Sequence, residues 1–301
     1  MLIKNLVLYE DNYPITINKE GDTFFYFFDY DVRSYAINME FQHFHRFYEI
    51  CILLSPHAVH LLEGKRYDIE CFDIVGIRPN VLHRTYYPEG EPCKRIIIRF
   101  NIPLKSNIQT MPELKKVFGI FNSDVPIFRF PPEINKLIYR PLNDIYMLGK
   151  KPDDISNLQI HLNFLEFLSL IYKYRYENIY AAEQPSGEIE SKMYSITSYI
   201  HAHYSEDLSL EQIASDFYIS SFYLSHKFKD VTGFTLTDYI HMTRVRNVQT
   251  LLLNTKDPIT EIAGQCGFQS FSQFNRVFRK LVGMSPSEYR KTGGAGKKKP
   301  F

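Results

Sequence analysis

Residues 209 to 290 contain one helical unit written twice, and this duplication constrains the fold more than any other feature of the chain. The first copy runs from Ser209-Leu210-Glu211-Gln212-Ile213-Ala214 through Phe228-Lys229 and Gly233 to Tyr239. The second runs from Pro258-Ile259-Thr260-Glu261-Ile262-Ala263 through Phe278-Arg279 and Gly283 to Tyr289. Phe228, Gly233 and Tyr239 precede their counterparts by 50 positions, whereas Ile213-Ala214 precede Ile262-Ala263 by 49. The second copy therefore has one additional residue between its two helices.

In each copy a short first helix opens at a capping candidate, Ser209 or Asp257, the latter followed by Pro258 at the first helical position. The turn Cys266-Gly267-Phe268-Gln269 places Gly267 where a positive φ is favoured, and Tyr218 stands there in the first copy. A second helix then opens at Ser220/Ser221 or at Ser270. Phe222, Leu224 and Phe228, and likewise Phe271, Phe274 and Phe278, are spaced for one buried stripe. Tyr223, Ser225, His226, Lys227 and Lys229 are left outward in one copy, and Ser272, Gln273, Asn275, Arg276, Arg279 and Lys280 in the other. Such side chains suit the DNA major groove, where Arg forks onto guanine, Asn and Gln onto adenine, and Ser onto either. One copy alone reads better as an ordinary helical hairpin with a solvated face. Two copies, joined by a helix over 236–254 about 27 Å long, suit two readers roughly one DNA turn (about 34 Å) apart. His241, Val245, Val248 and Leu252 share one side of that connecting helix.

At these residues the chain resembles an AraC/XylS-type transcription regulator. The motifs are Tyr239-Ile240, Arg244-Val245 and Leu251-Leu252, then Ile259 to Ala263, Gly267-Phe268, Phe278-Arg279-Lys280 and Gly283-Met284-Ser285-Pro286-Ser287-Glu288-Tyr289-Arg290. They occupy about the last third of the chain. The resemblance implies one seven-helix DNA-binding domain over 188–291. It also implies base-edge readers at Phe222, Ser225 and His226 and at Ser272, Gln273 and Arg276, with Lys227, Asn275, Arg279 and Lys280 beside them. His226 departs from the pattern, since Arg is frequent there.

The formal net charge of +1 is uninformative about nucleic acid, but its distribution is not. From Pro258 onward eight Lys/Arg face two Asp/Glu, an excess suited to phosphate contacts. Cys51, Cys71, Cys93 and Cys266 form no CxxC pair or zinc-ligand spacing. Reduced thiols, the absence of a signal-peptide profile and the lack of a long apolar run lead to the expectation of a cytoplasmic protein with no membrane partner.

Residues 1–110 read as short aromatic and β-branched strands, with candidates at 23–28, 35–41, 48–54, 58–62, 65–69, 74–77 and 95–100. Within them lie His43, His45, Glu49 and His83, a set that resembles the ligands of the cupin barrel. Strand alternation would put 43, 45 and 49 on one face. A metal site is chemically conceivable. The expectation adopted is a small-molecule pocket, with a sugar-like effector as one candidate and no metal or other cofactor. The first twenty residues could lie as an arm over the barrel. Residues 111–180 turn helical, over 133–148 and again to about 176. The second helix carries two apolar stripes, Leu158/Leu162/Leu165/Leu168/Tyr172 and Phe164/Phe167/Ile171/Tyr174. One stripe could pack on the barrel and the other on a second subunit, and the resemblance favours such a homodimer. Residues 181–187 have the composition of a linker, and 292–301 that of a disordered tail.

The expected fold is thus α+β: an N-terminal cupin-like β-barrel with a helical dimerisation segment, and a C-terminal all-α domain with two helix-turn-helix motifs. The expected function is a non-enzymatic, effector-controlled regulator of transcription, an activator by resemblance, whose partners are double-stranded DNA, an effector, a second copy and RNA polymerase. The alternative is a metal-dependent cupin enzyme with a helical appendage.

Overall fold

The computed structural model describes residues 2–3, 6–20, 22–33, 45, 47–62, 65–79, 81–90, 92–103, 111–123, 125–181 and 188–292. His43, the strand expected over 35–41, most of the 181–187 segment and the tail beyond Thr292 lie outside these residues.

Among the described residues eleven strands precede the long helices: β1 Leu2–Ile3, β2 Val7–Leu8, β3 Tyr13–Ile17, β4 Phe25–Arg33, β5 Tyr48–Leu53, β6 His57–Leu62, β7 Lys65–Glu70, β8 Ile74–Ile77, β9 His83–Tyr86, β10 Cys93–Asn101 and β11 Ile127–Phe128. They do not close into the expected cupin-like barrel. Among the described residues they form a small β1-β2 pair, a six-stranded sheet in the order β11-β8-β5-β10-β4-β3 and a separate three-stranded sheet in the order β7-β6-β9. The chain leaves the larger sheet after Leu53 and enters the smaller at His57, so the two sheets are open layers joined by turns.

The period-2 alternation of β5 and β10 explains the layering. Ile50, Ile52, Ile96, Ile98 and Phe100 face one way and pack with the helices α2 Pro132–Lys150 and α3 Ser156–Lys173. Cys51, Leu53 and Ile97 face the other way and pack on Ala58, Leu62, Tyr67 and Ile69 of the smaller sheet. A sheet buried on both faces needs near-continuous apolar strands, and β8, Ile-Val-Gly-Ile, is buried throughout. Residues 7–17, expected as part of an arm, are bonded into this domain. Tyr13–Ile17 pairs with β4, the Leu8 amide donates to Asn143 Oδ1 at 2.7 Å, and the Tyr9 hydroxyl donates to the Asp31 carbonyl at 2.7 Å.

Helix α1 spans Glu113–Phe118, and α2 and α3 match the two helices expected. The first α3 stripe divides: Leu168 is buried in the core, while Leu158 and Leu162 are more than half exposed. The second stripe is core, with Phe164, Phe167 and Ile171 buried.

The C-terminal helices are α4 Glu188–His203, α5 Leu210–Asp216, α6 Ser221–Thr232, α7 Leu236–Asn254, α8 Ile259–Gln265, α9 Phe271–Val282 and α10 Pro286–Lys291. They enclose two cores, one per copy of the duplicated unit, with α7 contributing Leu236, Tyr239 and Ile240 to the first and Val245, Val248 and Leu252 to the second. The first core also takes in Leu82, from the segment between β8 and β9, so the N-terminal domain packs on that half.

Candidate nucleic-acid interface

The duplication is carried down to single hydrogen bonds. Ser220 Oγ accepts from the Tyr223 amide at 3.2 Å, and Ser270 Oγ accepts from the Gln273 amide at 3.3 Å, so α6 and α9 begin with the same cap. Both end on a glycine in the left-handed region, Gly233 at φ 83 and Gly283 at φ 80, whose amides return to Lys229 O and Arg279 O. Phe228 meets Tyr239 edge-on at 5.3 Å, and 50 positions later Phe278 meets Tyr289 edge-on at 5.6 Å.

The turns before the two helices repeat the backbone but not the residue. Tyr218 and Gly267 both have positive φ, 55 and 83. Gly267 is held there for a second reason: a Cβ would lie 2.7 Å from the Tyr204 carbonyl oxygen and 2.9 Å from Arg244 Nε. Arg244 is buried, donating to the carbonyls of Tyr204 at 2.8 Å and Glu206 at 2.7 Å, so it holds the two halves together. The first helices differ at their start. Ser209 accepts from the Gln212 amide, but α8 has at its N-cap Pro258, which has no side-chain acceptor, and the Asp257 carbonyl before it accepts from Arg290 at 2.6 Å.

Of the expected stripe, Leu224, Phe228, Phe274 and Phe278 are buried, whereas Phe222 is 76% exposed and Phe271 45%. Each 12-residue helix buries a narrow stripe, and the aromatic in its first turn lies outside it. Phe222 consequently stands with His226 on the outer face, their rings 4.4 Å apart, beside exposed Ser225. On α9, Ser272, Arg276, Arg279 and Lys280 are exposed and Gln273 is half-buried. Three expected contacts are engaged within the fold, among them Lys280, whose Nζ lies 3.8 Å from Asp238 Oδ1. Asn275 Nδ2 donates to the Phe271 carbonyl at 3.0 Å, and Lys227 pairs with Asp230 at 3.3 Å on the wall of a groove shared with Val59, Leu61, Arg66 and Tyr86 of the N-terminal domain. Tyr218, which sequence reasoning noticed only as a turn residue, is 93% exposed at the head of α6.

The expected effector residues are brought together in part. The strand does not continue back to His45: β5 begins at Tyr48. His45 instead reaches Glu49 from the irregular segment before it, Nε2 to Oε2 3.3 Å, and His83 Nε2 lies 3.7 Å from Glu49 Oε1. His83 is 1% exposed and Glu49 9%. Burial, with His45 beside it, pushes the His83 imidazole down to about 4. His60, which sequence reasoning missed, stacks 6.0 Å from His83 and shares a 2.9 Å hydrogen bond with Thr85 Oγ1. Its only signal was strand alternation, which puts it on the face of β6 that carries Ala58 and Leu62. A cavity of about 70 Å³ is lined by Leu62 and Val81, the register partner of His83 and the residue whose carbonyl accepts from its ring.

Two capped helix-turn-helix units on one connecting helix define a DNA-binding domain, and residues 213–292 match the family described as "Helix-turn-helix domain". Over 262 residues the chain is 24% identical to the HTH-type transcriptional activator RhaR of Cronobacter sakazakii, covering 87% of this chain and 90% of that protein. It is 36% identical over 108 residues to the HTH-type transcriptional regulator YijO of Escherichia coli, covering 36% and 38%. It is also 37% identical over 101 residues to the regulatory protein PocR of Salmonella typhimurium, covering 34% and 33%. The chain strongly resembles the AraC/XylS-type regulators, and the relatives named here are regulators rather than enzymes. Among the described residues no helix is long and apolar enough to cross a membrane.

Proposed function

We propose that the chain activates transcription as a dimer, reading two successive major grooves with α6 and α9 under the control of a ligand taken by the N-terminal domain. The observation that carries this reading is the pair of identically capped helices with polar outer faces on one rigid connector. Base reading is assigned to Phe222, Ser225 and His226 on α6 and to Ser272, Gln273 and Arg276 on α9. Arg279 and Lys280 contribute phosphate contacts. The second copy would meet the exposed Leu158 and Leu162 of α3 and the neighbouring Met147 of α2, which line one open groove or stand beside it. RhaR is named an activator, and the same sign, exerted on RNA polymerase, is proposed here.

The ligand is taken at His45, Glu49 and His83, with His43 the remaining expected member of the set.

The test is a fluorescence-anisotropy titration of the full-length protein on a genomic-fragment library at two salt concentrations. Selective binding that weakens steeply with salt is the expected outcome. Equal affinity for every fragment would overturn the reading.

A further inference from the structure

We propose that Phe222 makes the first reading helix, α6, selective for thymine by packing its ring on the base's 5-methyl group in the major groove. This rests on the base reading assigned to α6 above and names the base that it reads.

The three reading positions of α6, Phe222, Ser225 and His226, hold no lysine or arginine, and the adjacent Lys227 pairs with Asp230 at 3.3 Å. Fifty positions later α9 has Ser272 where α6 has Phe222, and Arg276 where it has His226. An arginine there forks onto guanine, so α6 has to discriminate bases by other means.

Phe222 is placed to supply them. Ser220 caps α6, so Phe222 lies in its first turn, and the N-terminal residues of a recognition helix are the ones that meet base edges. Its side chain is 76% exposed, while Leu224 and Phe228 of the same helix are buried, so the ring adds little to the core. His226, four residues on, meets the phenyl ring with 4.4 Å between centroids and the planes tilted by 53°. Side chains four apart on a helix support one another, and this contact steadies the phenyl ring on the outer face.

The chemistry of the groove then selects the base. Base edges there offer polar donors and acceptors, and thymine adds an apolar group, its 5-methyl. A phenyl ring gains by shedding water against that methyl, and it loses by covering a polar edge to which it can make no hydrogen bond. Deleting one methyl from such a contact corresponds to about four-fold in affinity. Uracil keeps the hydrogen-bonding edge of thymine and lacks only the methyl, so it isolates the contact.

The test is in vitro selection by the full-length protein from two random-sequence duplex pools, one made with thymidine and one with deoxyuridine in its place. The wild-type protein is expected to enrich a two-part motif from the thymidine pool, with a thymine preference in one part that disappears in the deoxyuridine pool. Single thymine-to-uracil replacements in the selected duplex should then weaken wild-type binding by about four-fold at a position in that part, and leave Phe222→Ala binding unchanged there. Phe222→Leu, which keeps an apolar side chain, should retain the sensitivity to uracil, and its loss in Phe222→Ala is then not a loss of fold. The same motif from both pools, or a sensitivity to uracil that persists in Phe222→Ala, overturns the proposal and leaves the regulator reading standing. No enrichment from the thymidine pool overturns both.

Discussion

The two helix-turn-helix units share a backbone and differ in what surrounds it. The second is self-contained: its core of Val245, Val248, Leu252, Ile262, Phe274 and Phe278 comes wholly from the C-terminal domain, and α9 presents Arg276, Arg279 and Lys280 outward. The first has Leu82 of the N-terminal domain in its core, and its Lys227 lines a groove against that domain. At the front of its reading face Phe222 and His226 stand where the second unit has Ser272 and Arg276. The difference teaches that duplication copies the scaffold, whereas side chains outside the core separate a self-sufficient reader from one attached to the N-terminal domain.

The comparison is broken most strongly from inside. Phe228→Ala and Phe278→Ala each remove a fully buried ring, and each should cost about 3–5 kcal/mol, read by thermal or urea unfolding of the full-length protein. Hydrogen exchange should then accelerate in α6 for the first variant and in α9 for the second; equal loosening of both would make the two cores one cooperative unit. Leu82→Ala should cost about 2–4 kcal/mol and speed exchange in α4 and α6 but not in α9.

The turns sharpen the contrast further. Gly267→Ala adds a Cβ against a backbone oxygen at positive φ and should cost about 1–3 kcal/mol in the same unfolding assay. Tyr218→Gly relieves a left-handed tyrosine and should be neutral or stabilising by about 1 kcal/mol or less. Arg276→Ala should lose about 1–3 kcal/mol of affinity for the selected DNA fragment and relax its specificity. Lys227→Ala, at a side chain already paired with Asp230, should change that affinity by about 0.5 kcal/mol or less. Anisotropy titrations of the two variants decide whether the halves are unequal readers. Ser220→Ala and Ser270→Ala should cost about 1 kcal/mol each and differ little, since the caps are the same.

The sequence by itself determined the C-terminal domain. Caps, the turn at Gly267, the buried Phe228 and Phe278, and the connector over Leu236–Asn254 are local or periodic features, and their repetition at a fixed offset corroborates each of them. It also determined most strand positions, because alternation within one strand is a local property. Only the tertiary structure decided how those strands pair. Open layers and a closed barrel require the same alternation, so the expected barrel gave way to a six-stranded and a three-stranded sheet. Tyr13–Ile17 and His83–Tyr86 escaped notice because each is short and takes its burial from partners distant in sequence. The exposure of Phe222 and the division of the Leu158–Leu168 stripe were decided by which parts of each helix face are covered by packing, which no spacing encodes. The histidine cluster shows the same limit in the site. His45 and Glu49 are close in sequence, but the tertiary structure alone aims His83 at the same carboxylate and sets His60 beside it, because sheet packing joins segments whose separation along the chain carries no periodic signal.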